Sequence, residues 1–351
     1  MNNGRYVTWT KQSLSEKGFL RSRRVPARST LFVCIGSTIG KTSQTSRDAV
    51  TNQQINSVVP SSDYDADFVY LALNKISERI AGLAGKQAVP MVSKTDFSKN
   101  KLFVPNRQEQ EKIAEFLTVY DEILAVMDKK LQLLTQYKKA IMQKIFTQQV
   151  RFKDERNNPY PKWQAVELSR LFKKYTDTIH VDDAQVYSQV TISKTGKILT
   201  RGLKKGDQIG RKRQFVINLK DYPNTLTFIR QGVFDGAIGF VPLELNGYIV
   251  TENMPLLSMN TSLVSRIYFT QFIRTTAYLR DVIFPVKPVG SAQTALHEKE
   301  WLKQSIWLPA LAEQENIANF LLSLDNKIKA EEDRLTAAKN FKMALLQRMF
   351  V

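Results

Sequence analysis

The run Gly36-Ser-Thr-Ile-Gly40, followed by Lys41, is the first stretch whose residue types could do chemistry. A loop that cradles phosphates with backbone N–H groups needs four residues between its glycines, and this run has three. Its counterpart in the second half of the chain, Gly236-Ala-Ile-Gly239, has Phe240 where Lys41 stands. We therefore predict a tight turn between two strands, and no nucleotide site.

A second run, Asn158-Pro159-Tyr160-Pro161, is similar to the Asn-Pro-Pro-Tyr box of adenine methyltransferases. It lacks the second consecutive proline, and no glycine-rich cofactor loop follows a strand upstream of it. Asn and Pro are also ordinary turn formers in polar links between domains. The run is therefore predicted to be part of a linker, with no catalytic role.

The composition gives little support for a metal site or for nucleophilic catalysis. The chain has two histidines, His180 and His297, and one cysteine, Cys34, without the spacing of metal ligands. Carboxylates are scattered along the sequence. We predict a non-catalytic chain without metal or cofactor.

The same composition bounds the cellular location. One cysteine allows no disulfide within the chain, which fits a reducing cytoplasm. No apolar run approaches the length of a membrane span, and the first residues lack the apolar region of a signal peptide. These features predict a cytoplasmic protein without a membrane partner.

Two long stretches must position the rest of the chain, because apolar residues recur in them at alternating steps of four and three. A 3.5-residue repeat held this long is typical of a coiled coil, not of an ordinary surface helix. The positions predicted to pair the helices are Ile113, Leu117, Tyr120, Leu124, Leu131 and Leu134 in the first stretch and Ile317, Leu321, Leu324, Ile328, Leu335 and Leu345 in the second.

The second stretch repeats the first at a constant offset of 204 residues. Pro105 and the following Glu109-Gln110-Glu111 recur as Pro309 and Glu313-Gln314-Glu315. Identities at one fixed offset indicate an internal duplication, not two unrelated leucine-rich helices.

The repeat also predicts how the helices run. Lys138 and Lys342 occupy the same register, so a parallel pair would place two ammonium groups face to face in its core. An antiparallel pair places Lys138 near Leu324 and Lys342 near Tyr120, where each stem packs and each charge reaches outward. We predict an antiparallel coiled coil with a pseudo-twofold internal repeat.

The net charge of +18 is distributed unevenly. Residues 1–105 carry +8, from 15 Lys and Arg against 7 Asp and Glu, and residues 151–308 carry +9, from 23 against 14. The stretches 106–150 and 309–351 carry only +1 and 0. Two basic regions on a neutral spacer predict two contacts with one polyanion, and nucleic acid is the favoured candidate.

Each basic region has the mixed pattern of an α/β lobe. In the first lobe, we predict strands over residues 29–35 and 49–59, a helix over 67–80 and an extended piece over 102–105. The second lobe repeats these elements, but Gly236 lies 75 positions after Pro161, whereas Gly36 is preceded by 35 residues. We therefore expect the first lobe to lack roughly the first 40 residues of its fold.

Three motifs occur together in this chain. They are the paired Pro-x3-Glu-Gln-Glu-x-Ile-Ala-x-Phe-Leu helix openings, the Tyr160-Pro161-Lys162-Trp163 entry to the second lobe and the Gly36-Ser-Thr-Ile-Gly40 turn. In these features the whole chain resembles the DNA specificity subunits of type I restriction-modification systems. The short first lobe departs from the family pattern.

The resemblance implies an α+β fold with four parts. These are a first target-recognition domain over residues 1–105, a spacer helix over 106–150, a second target-recognition domain over 151–308 and a second spacer helix over 309–351. Each domain is expected to read one half of a split site on double-stranded DNA, with the helices setting the gap. Two methyltransferase subunits, and restriction subunits with nuclease and translocase activity, are the implied partners.

Residues that touch DNA are expected among basic side chains near turns and two amides in corresponding loops. Arg and Lys on phosphates supply affinity, while hydrogen bonds to base edges supply sequence choice. The candidates are Arg21, Arg23, Arg24, Lys41 and Gln87 in the first lobe and Lys204, Lys205, Arg211, Lys212, Arg213, Arg230 and Gln293 in the second.

Two alternatives stay open at this stage. In one, the helices form a scaffold for protein partners, and the positive charge serves only solubility. In the other, the chain is a truncated or silent specificity copy that reads a single half-site. Affinity that falls steeply with salt would separate a DNA reader from a scaffold.

Overall fold

The computed structural model describes residues 5–85, 89–287 and 295–350, and the chain divides into two compact units. Unit 1 comprises residues 1–131 and 330–351, and unit 2 comprises residues 132–329. Each unit therefore contains one lobe together with a part of each long helix. Within the described residues, no helix is both long and apolar enough to cross a membrane.

The elements of unit 1 are short apart from one lobe helix and the long helix. They are β1 (Tyr6–Val7), α1 (Glu16–Arg21), β2 (Thr30–Val33), β3 (Thr42–Thr45), β4 (Ile55–Val58), α2 (Ala66–Ala81), α3 (Lys94–Ser98) and the first part of the long helix α4 (Arg107–Phe146). The helix predicted over 67–80 and the strand predicted over 29–35 are confirmed, and the strand predicted over 49–59 is shorter than expected.

Unit 2 contains more strands. They and the helices are β5 (Gln164–Glu167), α5 (Leu168–Leu171), β6 (Phe172–Tyr175), β7 (Thr178–His180), β8 (Val186–Ile192), β9 (Ile198–Lys205), β10 (Arg213–Val216), β11 (Thr225–Phe228), β12 (Ile238–Phe240), β13 (Ile249–Val250), β14 (Leu256–Met259), α6 (Arg266–Phe272), α7 (Thr276–Tyr278), α8 (Glu298–Leu302), β15 (Ser305–Leu308) and the second long helix α9 (Leu311–Met349).

The two lobes share a central three-stranded arrangement. In unit 1, β2 lies between β3 and β4 and is antiparallel to both. In unit 2, β11 lies in the same way between β12 and β14. All four residues of β2 and of β11 are buried. The fully apolar or small-polar sequence of these strands therefore fits a strand covered on both faces.

The lobes differ at the edges of these sheets. In unit 1 the strand order is β1-β3-β2-β4, so β4 is an edge strand. In unit 2 the order is β12-β11-β14-β6, and β6 covers the strand that corresponds to β4. Unit 2 also has a five-stranded sheet, β7-β10-β13-β8-β9, and the pair β15-β5.

The long helices run antiparallel in both units, as predicted. In unit 1, the Tyr120 hydroxyl donates to the carbonyl of Ala338 (3.2 Å), and Lys342 forms an ion pair with Asp121. In unit 2, Lys138 forms the corresponding ion pair with Asp325. Each lysine therefore contacts the residue that follows its predicted neighbour. That residue is an aspartate of the facing helix, so the ammonium group is paired and does not extend into solvent as predicted.

The twelve predicted pairing positions lie on the packed sides of the helices. All are buried or half-buried, from Ile113 and Leu117 in α4 to Leu335 and Leu345 in α9. In unit 1, Ile113 and Leu117 share a core cluster with Phe68 of α2. The helix packing and the lobe packing are therefore continuous within that unit.

One predicted correspondence between the lobes is wrong. Gly236 does not occupy the place of Gly36, because Ile229 N bonds Ala237 O as Val33 N bonds Lys41 O. Gly236 precedes Ala237 as Gly40 precedes Lys41, and the two glycines have φ of +95° and +90°. Left-handed backbone favours glycine at both positions. The residue equivalent to Lys41 is therefore Ala237, not Phe240.

Candidate nucleic-acid interface

Strand β9 is the most exposed regular element of the second lobe. Among the described residues it is an edge strand, paired with β8 alone, and seven of its eight residues are exposed. Leu203 is 77% exposed, and Gly202 adopts a φ of +89° beside a register shift at Gln189 and Val190. An exposed edge carrying apolar side chains is a surface on which another molecule can pack.

Five predicted DNA-binding residues converge at the end of this strand. Lys204 and Lys205 are the last residues of β9. Lys212 donates to the carbonyl of Gly206 (2.7 Å), which holds the stretch 211–213 against that end. We call this group the ribbon-end cluster: Lys204, Lys205, Arg211, Lys212 and Arg213.

The members of the ribbon-end cluster differ in how free their charges are. Lys212 is paired with Asp183, whereas Lys205 and Arg211 form exposed contacts with Asp207 (3.2 Å) and Glu252 (3.5 Å). Exposed ion pairs contribute little and exchange easily for other anions. In the described part of the chain, neither Lys204 nor Arg213 has a carboxylate partner, and both are exposed.

Arg230 lies in a different environment from the ribbon-end cluster. Its guanidinium donates to the buried carboxylate of Glu298 (2.7 Å), which also pairs with Lys174. Burial raises the pKa of Glu298, but the hydrogen bonds from Lys174, the backbone and Arg230, together with the charge of Arg230, lower it to about 2. The structure thus gives Arg230 an internal partner that explains its charge without DNA.

The basic candidates of the first lobe form one group and one separate residue. Arg21 ends α1, and Arg23 and Arg24 follow it, all three exposed. The guanidinium of Arg24 lies 5.3 Å from the ring centre of Phe19. Lys41 instead lines a cavity of about 690 Å³ in unit 1, and no described contact joins it to the three arginines.

The two predicted amides, Gln87 and Gln293, lie outside the described residues. The Gly36–Gly40 run is a turn between the antiparallel strands β2 and β3, as predicted. Within the described ranges, no three His, Cys, Asp or Glu side chains form a group that could hold a metal ion, and the absence of metal and cofactor stays a prediction.

Sequence reasoning missed the residues that join each lobe to its long helix. Gln110 accepts a hydrogen bond from Asp65 N (2.8 Å) and donates to Pro105 O (2.9 Å). Gln314 accepts one from Ser265 N (2.8 Å) and donates to Pro309 O (2.9 Å). Asp65 and Ser265 are the N-cap residues of α2 and α6. The recurrence of this glutamine at an offset of 204 was the available signal.

The chain is similar in sequence to proteins of one family. Residues 1–136 match the family described as "Type I restriction modification DNA specificity domain". The HindI specificity subunit, a type I restriction enzyme subunit of Haemophilus influenzae, is 33% identical over 113 residues, which are 31% of this chain and 24% of that protein. The MjaVIII subunit of Methanocaldococcus jannaschii is 23% identical over 74% of this chain and 64% of its own length. The matches to these two relatives thus span less than two thirds of their length.

Longer and structural similarities agree with this. The MjaIX subunit of M. jannaschii is 19% identical over 98% of this chain and 82% of that protein. The crystal structure of a type I restriction-modification S subunit from M. genitalium covers 93% of this chain and 84% of its own, with a TM-score of 0.55 and 15% identity. A second solved chain, from work on the assembly and conformational transition of the type I R-M system, matches 93% of this chain and 83% of its own length, with a TM-score of 0.58 and 11% identity. The fold is shared, and the predicted fold class is confirmed.

Proposed function

We propose that this chain is a DNA specificity subunit of a type I restriction-modification system, on the basis of its similarity to that family, and that it reads a bipartite target on double-stranded DNA. In this proposal each lobe reads one half-site, and the chain brings two methyltransferase subunits and the restriction subunits to the target. Catalysis belongs to those partners, and a cytoplasmic location stays part of the prediction.

The ribbon-end cluster is the observation that carries the proposal. A ribbon of two antiparallel strands fits the major groove of B-DNA, where each base pair presents a distinct pattern of donors and acceptors. The β8–β9 hairpin has such a shape, with an exposed edge strand. Lys204 and Arg213, which have no carboxylate partner in the part of the chain that the structure describes, support a role on phosphates or guanine edges. The half-buried Ser188 and Gln189 are the polar groups of β8 next to Leu203 and Gly202.

In the first lobe, the exposed group Arg21, Arg23 and Arg24 supports the corresponding role. Three guanidinium groups within four residues neutralise phosphate charge over a short distance. Arg230 is left out of the proposed contact surface because Glu298 already holds it.

The experiment is to measure DNA affinity against salt concentration for the wild type and for the triple variant Lys204→Ala, Lys205→Ala, Arg213→Ala. Each cation that neutralises a phosphate contributes about 0.9 to the slope of log affinity against log salt. We therefore expect the slope of the triple variant to be smaller by about 2 to 3. Fluorescence anisotropy of a labelled duplex, between about 50 and 200 mM salt, measures it.

A matched control removes the same charge elsewhere in unit 2. Lys139, Lys144 and Lys327 are exposed on the long helices, and their replacement by Ala should change the slope by less than 1. Equal changes in the two triple variants would show only a loss of net charge. A wild-type chain whose DNA binding does not depend on salt, and does not survive competitor DNA, would favour the scaffold alternative.

A further inference from the structure

In unit 1, residues 101–104 form a segment without regular secondary structure just before the long helix α4. In unit 2, β15 pairs with β5 at all four positions from Ser305 to Leu308. At the offset of 204, residues 101–104 are the counterpart of β15, and they lie outside any helix or strand. Within the described residues, however, they make no backbone hydrogen bond. Phe103 is 82% exposed, whereas its counterpart Trp307 is 51% exposed.

A glutamate beside this segment is also without the partners that its counterpart has. Glu313, which is fully buried, accepts hydrogen bonds from Arg151 (2.7 Å) and from the Trp163 indole (3.1 Å). Glu109 is its counterpart in unit 1 and is exposed. Among the described residues, no side chain donates to the Glu109 carboxylate. An acceptor of the same type is therefore open in unit 1 and filled in unit 2.

A third unpaired position of unit 1 lies at the edge of its sheet. The outer side of β14 is paired with β6 at all four positions from Phe172 to Tyr175, whereas β4 is an edge strand. The Tyr175 hydroxyl bonds Thr225 at the start of β11 (2.9 Å). At the start of β2, the buried hydroxyls of Ser29 and Thr30 have no hydrogen-bond partner among the described residues. Buried polar groups without partners are costly, so these positions favour an incoming donor.

One continuous stretch of unit 2, residues 151–175, fills all three of these places. We infer that unit 1 is a docking surface for a segment of a partner polypeptide with the same chemistry. The segment would place an arginine and a tryptophan on Glu109, add a strand to residues 101–104 and add a second strand to β4. Strand addition to an exposed edge takes its affinity from main-chain hydrogen bonds and its specificity from side-chain pockets.

A second copy of this chain is disfavoured as the occupant. Its residues 151–175 are already held in its own unit 2 by two strand pairings and by the buried Glu313. To supply them to another molecule, a copy would have to open its own core, where Trp163 and Phe172 are buried. The inference goes beyond DNA reading and does not depend on it.

The test uses the chain of residues 1–351 and a synthetic peptide with the sequence of residues 151–175. We expect one peptide to bind per chain in isothermal titration calorimetry. Hydrogen exchange should slow in two places, at residues 101–104 and at β4. The Glu109→Gln variant, or a peptide carrying Trp163→Ala, should bind at least tenfold more weakly, whereas the Glu115→Gln variant, exposed on the same helix, should bind like the wild type.

Three results would overturn the inference. One is no binding of the peptide, and another is binding that Glu109→Gln leaves unchanged. The third is a chain that already forms a dimer which the peptide dissociates, because this result would identify a second copy as the occupant. No DNA is present in the experiment, so the result is separable from that of the DNA-binding test.

Discussion

The two units hold their long helices in the same way but differ in what surrounds the helix openings. The ion pairs Lys342–Asp121 and Lys138–Asp325 are equivalent, and so are the hydrogen bonds of Gln110 and Gln314. By contrast, Glu313 is buried beneath Arg151 and Trp163, and Glu109 is exposed. The long helices and their junctions to the lobes are therefore duplicated. Among the described residues, side chains that cover the helix opening, Arg151 and Trp163, are present in unit 2 alone.

The largest predicted difference between the units concerns these two glutamates. Glu313→Gln replaces an acceptor with an amide whose N–H groups face the donors of Arg151 or Trp163. Breaking a buried ion pair on one side costs about 3–5 kcal/mol, so we expect that loss in the unfolding free energy of unit 2. Glu109→Gln should change stability by less than about 0.5 kcal/mol, as is usual at the surface.

Urea denaturation measures both effects. Three of the four tryptophans, Trp163, Trp301 and Trp307, belong to unit 2, so tryptophan fluorescence reports mainly on that unit. Similar losses for the two variants would mean that Glu109 has partners equivalent to those of Glu313, and the contrast between the units would be lost.

A smaller effect tests what the units share. Gln110→Leu and Gln314→Leu keep side-chain volume but leave a buried backbone N–H and a carbonyl unpaired, which costs about 1–3 kcal/mol each. The loss should be greater for Gln314, which also donates to Leu263 O (2.9 Å). Hydrogen exchange of the first turns of α2 and α6 measures where each junction opens. Opening of neither helix would show that the glutamines do not join lobe and long helix.

The long helices were predictable because their information is local and periodic. The four-and-three spacing fixed their packed side, and the shared register of Lys138 and Lys342 fixed their direction. The helix α2 was also visible, because apolar residues recur through it and Asp65 caps its start. The twelve residues predicted to pair the helices are buried or half-buried, and their pairing stays a prediction.

The lobes were less predictable because strand pairing joins residues far apart in sequence. β9 could not be recognised as an exposed edge from its own residues, since exposure depends on which strand lies beside it. Arg230 looked like its basic neighbours, and Glu298, which pairs with it, lies 68 residues away. Gln110 recurs as Gln314, but its burial and its bond to Asp65 N, 45 residues away, depend on the packing of the lobe against the long helix.

The most direct measurement is selection of bound sequences from a randomised double-stranded DNA library. The wild type and the variant Lys204→Ala, Lys205→Ala, Arg213→Ala would be compared. We expect the wild type to enrich two short motifs at a fixed separation, and the variant to lose sequence preference at one of them only. Equal loss at both motifs, or no enriched motif for the wild type, would contradict the proposal that each lobe reads its own half of the site.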